Sequence, residues 1–273
     1  MADQKTKAAA FHALHARSGA FIIPNPWDAG TAKILAHLGF EALATTSAGL
    51  AFALGRPDGA AGRDETLANA RAIVEATHLP VSADLENGFG ASPDVVAETI
   101  HLAAAIGLAG GSIEDSTGDH TKPICDFNLA VERVAASVET ARAQDIHFTL
   151  TARAENFLHG RPDLDDTIKR LQAFEKAGAD VLYAPGLPSL EAIRAVCSAV
   201  TRPVNVLANG AFTLKQYQDA GAKRVSVGSR LNLAALGAFS AGAQEMKDAG
   251  TFNFAREAIP YAEINALMTE QPR

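Results

Sequence analysis

The chain has 273 residues, of which 48% are hydrophobic, 20% charged and 6% aromatic, and its formal net charge is −7. That is enough apolar material for a sizeable core and excludes disorder as the main state. A pI of about 5.6 argues against nucleic-acid binding, which takes clustered Lys and Arg; no apolar run is long enough to span a bilayer, and no secretory signal is legible at the N-terminus.

In chain order, a helix is predicted over residues 4–17, ahead of the first strand. Strand-length apolar runs then follow at 20–23, 42–45, 80–83, 111–113, 146–151, 180–184, 203–207 and 224–227. Between them, apolar residues recur at three- and four-residue spacing over 28–38, 64–77, 93–106, 128–143, 163–177, 189–200, 213–220 and 231–249, which predicts helices. Ser92 before Pro93 reads as an N-cap, as do Asp163, Ser189 and Thr213. Four helix ends carry glycine, at Gly39, Gly107, Gly178 and Gly221, each just before a strand. Eight strands alternating with eight helices, with no break in composition, predict one domain over 1–273: a (β/α)8 TIM barrel with an extra N-terminal helix and C-terminal helices. The strands read as apolar on both faces. An open doubly wound sheet is the alternative. Two cysteines, Cys125 and Cys197, make no disulfide framework. A cytoplasmic enzyme is expected.

In such a barrel the chemistry sits at the C-terminal ends of the strands. Strand three ends in Asp84-Leu85-Glu86 and strand four in Glu114-Asp115. Asp84 and Glu86 share a face by their period-two spacing, and Glu114 arrives beside them. Three acids so close repel, and a cation relieves that cost; oxygen ligands suit Mg²⁺ or Mn²⁺. Arg153 ends strand five, where it can hold a substrate carboxylate or oxyanion, or pair with the acids themselves. A long glycine-rich loop, 47–59, follows strand two; its first residues can offer N–H groups to an anion, and Asp58 can swing toward the acids. Asn209, at the end of strand seven, is taken as a substrate contact, and Gly228-Ser229-Arg230 lies where many barrels bind phosphate.

The residues Thr45-Thr46-Ser47-Ala48-Gly49, Leu54-Gly55-Arg56-Pro57-Asp58, Asp84-Leu85-Glu86-Asn87-Gly88-Phe89-Gly90, Ile113-Glu114-Asp115 and Thr151-Ala152-Arg153 resemble the isocitrate lyase / phosphoenolpyruvate mutase superfamily over nearly the whole chain. The resemblance implies a Mg²⁺-dependent barrel that makes or breaks C–C or C–P bonds beside a carbonyl. It implies metal binding by Asp84, with Glu86 and Glu114 directly or through water. Thr46, Ser47 and Ala48 would meet the substrate carboxylate, Arg153 its oxygens, and Asp58 the metal shell; Arg153 and Asp58 are the expected catalytic groups. It also implies a homotetramer, often with exchange of the last barrel helix.

The chain departs from the lyases in its gating region, where Cys125 is not followed by Gly-His. Ile124 and Phe127 around it read as a loop anchor. His120 and Lys122 are gate residues or part of a solvated loop, and Cys197 reads as core. The expected activity is a C–C lyase, decarboxylase or hydrolase on a small 2-oxo or 2-hydroxy (di)carboxylate, through an enolate-like intermediate and without the lyase thiol. Phosphoenolpyruvate mutase or phosphonopyruvate hydrolase chemistry, or a non-catalytic phosphate-binding barrel, are the alternatives.

Overall fold

A computed structural model describes residues 3–269. The strands are β1 (Phe21–Ile23), β2 (Leu43–Ala44), β3 (Val81–Asp84), β4 (Gly110–Glu114), β5 (Thr149–Arg153), β6 (Val181–Tyr183), β7 (Val204–Leu207) and β8 (Arg224–Ser226). All are parallel, in the order β1-β8-β7-β6-β5-β4-β3-β2. The ring is closed between β1 and β2 by single bonds: Ala44 N–H donates to Pro24 O at 3.0 Å, and Asn25 Nδ2 to Thr45 O at 3.0 Å. This is the expected (β/α)8 barrel.

The helices are α1 (Gln4–Ala16), α2 (Ala29–His37), α3 (Ser47–Ala53), α4 (Arg63–Ala76), α5 (Pro93–Ala105), α6 (Phe127–Arg142), α7 (Leu164–Lys176), α8 (Leu190–Ala199), α9 (Leu214–Asp219), α10 (Arg230–Ala249) and α11 (Tyr261–Thr269). Ser92, Asp163, Ser189 and Thr213 cap α5, α7, α8 and α9 through their side chains. Gly39, Gly107, Gly178 and Gly221 end helices with φ of 84°, 96°, 103° and 99°, where a Cβ would be strained. Among the described residues, no helix is long and apolar enough to cross a membrane.

Two readings are corrected. The start of the 47–59 loop is the short helix α3, capped by Thr46 Oγ1 on Gly49 N–H. Gly49 permits it: a Cβ there would lie 2.6 Å from Thr46 Cγ2 and 3.0 Å from Trp27 Cβ. The strands, moreover, are not apolar on both faces. Their outer faces pack under the helices, around Phe148, Leu150, Leu182 and Val206. Inside the barrel stand Ser82, Ser112, Thr151, Asn205, Arg224 and Ser226, with α1 closing the bottom through Phe11, Leu14 and His15. The barrel is plugged by apolar contacts below and polar above, which places the polar volume at the mouth.

Candidate active site

The strand ends enclose a cavity of about 170 Å³. Pockets for drug-sized ligands run to roughly 300–1,000 Å³, so this one suits a metabolite of few atoms. Thr46, Ser47, Ala48, Asp58, Asp84 and Arg153 line it.

Arg153 is the centre of the mouth. Its Nη1 lies 3.0 Å from Asp84 Oδ1, its Nη2 3.1 Å from Glu114 Oε2 and its Nε 2.8 Å from Glu155 Oε1. The guanidinium stacks 5.1 Å from the Tyr183 ring centroid. Its pKa stays above the ordinary value: burial acts to lower it, and the charges of Glu155, Glu114 and Asp84 outweigh that. The pairing with the acids that the sequence left open is therefore what the resting geometry contains.

Asp84 is fixed from three sides. Its N–H donates to Thr45 Oγ1 at 2.9 Å, its Oδ2 accepts from Ser47 N–H at 3.2 Å, and its Oδ1 accepts from Glu86 N–H at 3.3 Å. The Ser47 amide thus already faces a carboxylate. Glu86 sits in the left-handed region at φ 48°, and Phe89 at φ 61°. Such backbone costs on the order of 1–3 kcal/mol per residue and clusters at functional sites. Gly88, between them at φ 75°, passes so near Val96 that a Cβ would sit 2.9 Å from Cγ2.

Glu86 Oε1 is buried and has no hydrogen-bond partner among the described residues. Burial first, then the charges of Asp84, Glu114 and Asp58, pushes its carboxyl up to about 8. Glu114 Oε1 accepts from Ser116 Oγ at 2.6 Å. Asp58 is solvent-exposed on one side and lines the cavity on the other. Partial desolvation and the charge of Asp84 raise its pKa, against a bond from the Ser47 hydroxyl.

Asp115 points away from the mouth, as strand alternation requires. It accepts from Glu155 N–H at 2.8 Å and pairs with Arg170 Nη1 at 3.1 Å, tying β4 to β5 and α7. Burial pushes its carboxyl up to about 6.

Asn209 does not line the cavity. Its Oδ1 accepts from Ala211 N–H at 3.1 Å and from the Tyr217 hydroxyl at 3.1 Å, so it shapes its own loop. Asn205, two turns of pleat deeper on β7, lines the cavity instead. Asn205, Tyr183, Arg224, Ser226 and the third acid on Arg153, Glu155, were not picked out as site residues from the sequence. The alternation of Asn205 with Leu207, and of Arg224 with Ser226, was the available signal.

The amides of Val227 and Gly228 both donate to Asn25 Oδ1 at 2.9 Å, so that turn has spent donors a phosphate would need. Cys125 is 4% exposed, 3.8 Å from Ser116 O and 3.6 Å from Arg133 Nη1. Burial raises its pKa, the reverse of what a reactive thiol needs. The bridge between Ser116 and Ile124 folds the loop over it, while His120 is exposed and Lys122 pairs with Asp126 at 3.0 Å. Cys197 is half-buried against α9, with Gly221 permitting its close approach.

Among the described residues, no three Asp, Glu, His or Cys side chains stand ready to enclose a metal. Arg153 lies between Asp84 and Glu114. The donor chemistry nevertheless fits a hard divalent cation: Asp84, Glu114 and Glu155 share one guanidinium, the charges of Asp84 and Arg153 reach Asp58 and Glu86 beside them, and Glu86 Oε1 is orphaned.

The chain matches the phosphoenolpyruvate phosphomutase family over residues 11–247. It is 56% identical to a Burkholderia cenocepacia J2315 chain provisionally called a lyase/mutase, with 98% of each chain covered and a TM-score of 0.96. It is 30% identical to the 2-methylisocitrate lyase of Escherichia coli K12 over 224 residues, covering 77% of this chain and 74% of that one. Phosphonopyruvate hydrolase, solved with oxalate and Mg²⁺, shares the fold at 23% identity and TM-score 0.85, with 96% and 94% covered. The carboxylate-rich mouth of this barrel and the sequence that builds it are those of the isocitrate lyase / phosphoenolpyruvate mutase superfamily, to which the chain belongs.

Proposed function

We propose that the protein is a Mg²⁺-dependent enzyme, with Mn²⁺ as a substitute, that cleaves a C–C bond in a small 2-oxo or 2-hydroxy (di)carboxylate as a lyase, decarboxylase or hydrolase. The observation that carries this reading is the imbalance at the mouth, three carboxylates paired with the one Arg153 guanidinium while, among the described residues, Asp58 and Glu86 stand nearby without an ion pair to it and Glu86 Oε1 is unpartnered. Asp84 would hold the cation directly, and Glu86 and Glu114 would do so directly or through water. A bound divalent ion supplies Lewis acidity that steadies the negative charge developing beside the carbonyl.

The chain's own groups do the rest. Arg153, released from part of its pairing with the acids, can turn a donor toward a substrate oxygen. The first turn of α3, at Thr46, Ser47 and Ala48, borders the same volume and can meet a carboxylate. Asp58, whose proton affinity is raised, stands where a proton can be passed. Tyr183, Leu158 and Ile23 limit the water around the reacting carbon.

Turnover of a panel of 2-oxo and 2-hydroxy acids, with Mg²⁺ and with chelator, tests the proposal. Activity lost in chelator and restored by Mg²⁺ is expected; activity indifferent to chelator or to Asp84→Ala refutes it. The family matched by the chain favours one second reading, C–P chemistry on phosphonopyruvate. Phosphorus NMR separates the two, since only that reading yields a phosphorus-containing product.

A further inference from the structure

The cavity runs deeper than the mouth and ends on a second guanidinium. Arg224, at the start of β8, is 5% exposed and lines the same cavity as Asp84 and Arg153. Its Nε donates to Asn205 Oδ1 at 2.9 Å and its Nη2 to Thr151 Oγ1 at 3.0 Å. Its Nη1 lies 3.4 Å from His15 Nε2. The tautomer follows: His15 Nδ1 is 2.9 Å from Phe11 O, a carbonyl that can only accept, so Nδ1 carries the proton and Nε2 accepts.

Every partner of Arg224 is neutral. Among the described residues, no carboxylate lies within ion-pair distance of it. Three of its five N–H donors are used, and the side chain lines the cavity. Burial, with Arg153 nearby, lowers its pKa to about 10, so it remains charged at neutral pH. A buried charge without a counter-ion is costly, and a ligand that brings the opposite charge would relieve that cost. At the mouth the acids outnumber the cations; at the floor the cation stands alone.

We propose that Arg224, with Asn205 and Ser226, forms a floor subsite that receives the distal carboxylate of a four- or five-carbon dicarboxylate whose other end is held at the mouth. The span is set by β5. Thr151 holds Arg224 and Arg153 is its neighbour two residues on, and two such residues on one face lie roughly 7 Å apart. The fork of Arg224 is locked by three bonds, so it is preorganised for a planar carboxylate. Asn205 Nδ2 donates to Ser226 Oγ at 3.0 Å, and the Ser226 hydroxyl itself donates over 3.4 Å to the Tyr183 hydroxyl or to Val206 O, long contacts it can exchange for an anion beside Arg224. The substrate class under the proposed function thereby narrows from acids in general to dicarboxylates. This rests on that reading for the mouth end only.

The test is calorimetric binding to the full-length protein in Mg²⁺, with three probes: oxalate for the mouth alone, malate, and 2-hydroxybutanoate, in which a methyl replaces the distal carboxylate. Malate should bind about tenfold tighter or better than 2-hydroxybutanoate. In Arg224→Gln that ratio should fall to about one, and Arg224→Lys should restore part of it. Thermal unfolding checks that the variants fold. Where Arg224→Gln does not, Asn205→Asp sets a carboxylate against Arg224 Nε and should collapse the same ratio.

A wild-type ratio near one, or a ratio that survives both neutralising variants, overturns the floor subsite. Mg²⁺-dependent oxalate binding alongside that result leaves the mouth reading standing. Failure of oxalate to bind, with the malate ratio intact and lost on neutralisation, sinks the mouth reading and keeps the floor.

Discussion

Arg153 Nη1 and Asp84 Oδ1 are 3.0 Å apart in a mouth where the same guanidinium also serves Glu114 and Glu155. One cation holds three carboxylates. Arg153→Gln leaves those acids facing one another without it, and stripping one partner from a buried pair costs about 3–5 kcal/mol. The melting temperature should fall on the order of 10 °C. If the acids are also a cation site, Mg²⁺ should recover part of that loss in the variant, and chelator should abolish the recovery. Differential scanning calorimetry with and without Mg²⁺ checks both halves; a melting temperature blind to Mg²⁺ in both proteins contradicts the metal reading.

The Cys125 thiol is enclosed by Ser116 O and the Arg133 guanidinium, and burial raises its pKa. A thiol that must give or take a proton during turnover contributes about 10²–10⁴-fold. Cys125→Ser should lose only a few-fold in kcat once a turned-over acid is in hand. A loss in the larger range would restore the thiol mechanism.

Much of this was legible because it is local. The four glycine helix ends and the four predicted caps recur in the structure where the sequence set them, since φ > 0 and an orphan N–H each demand particular residue types. The Asp84–Gly90 and Ile113–Asp115 motifs likewise placed Asp84, Glu86 and Glu114 at one mouth. What was missed depends on closure. Arg224 and Asn205 become cavity residues only when β8 and β7 meet β1; their period-two spacing with Ser226 and Leu207 marks a shared face but does not say that the face is turned inward. Asn209 differs for the opposite reason: it follows the end of β7 as expected, and its amide oxygen accepts from Ala211 N–H two residues on.

His15 is held neutral, its pKa pushed down to about 3 by burial and by Arg224. The ordinary value is 6.5, so between about 6.5 and 3 the unfolded chain binds a proton that the folded one refuses. The stability this histidine contributes is full above pH 6.5 and is lost as pH falls toward 3. Its slope approaches about 1.4 kcal/mol per pH unit within that window. His15→Gln, which keeps an acceptor for Arg224 and cannot titrate, should flatten the difference curve. Urea unfolding at pH 7.5 and 5 for the two proteins reads it: wild type should lose more stability than the variant, and parallel losses refute the assignment.

The last barrel helix does not cover its own barrel as the others do. On α10 only Asn232 and Gly242 are buried, while Leu231, Leu233, Leu236 and Phe239 are 40%, 49%, 41% and 74% exposed. Phe252, Ile259 and Tyr261 continue the apolar surface beyond it at 65%, 56% and 81%. Scattered exposed leucines need no explanation, but a run of this extent on one arm is the mark of a contact surface. We propose that further copies of the same chain cover it, as the homotetramer implied by the sequence resemblance would require. Stable assemblies bury about 1,200–2,000 Å² per interface, within reach of a twenty-residue helix with its following arm. Sedimentation equilibrium should therefore return about 114 kDa, four times 28.5 kDa. Leu236→Glu with Phe239→Glu plants two like charges in the surface and should drive the mass down toward the single chain. Because α10 leaves its own barrel so little to lose, the helical circular dichroism of the double variant should stay close to wild type; a wild-type protein that sediments at 28.5 kDa refutes the assembly outright.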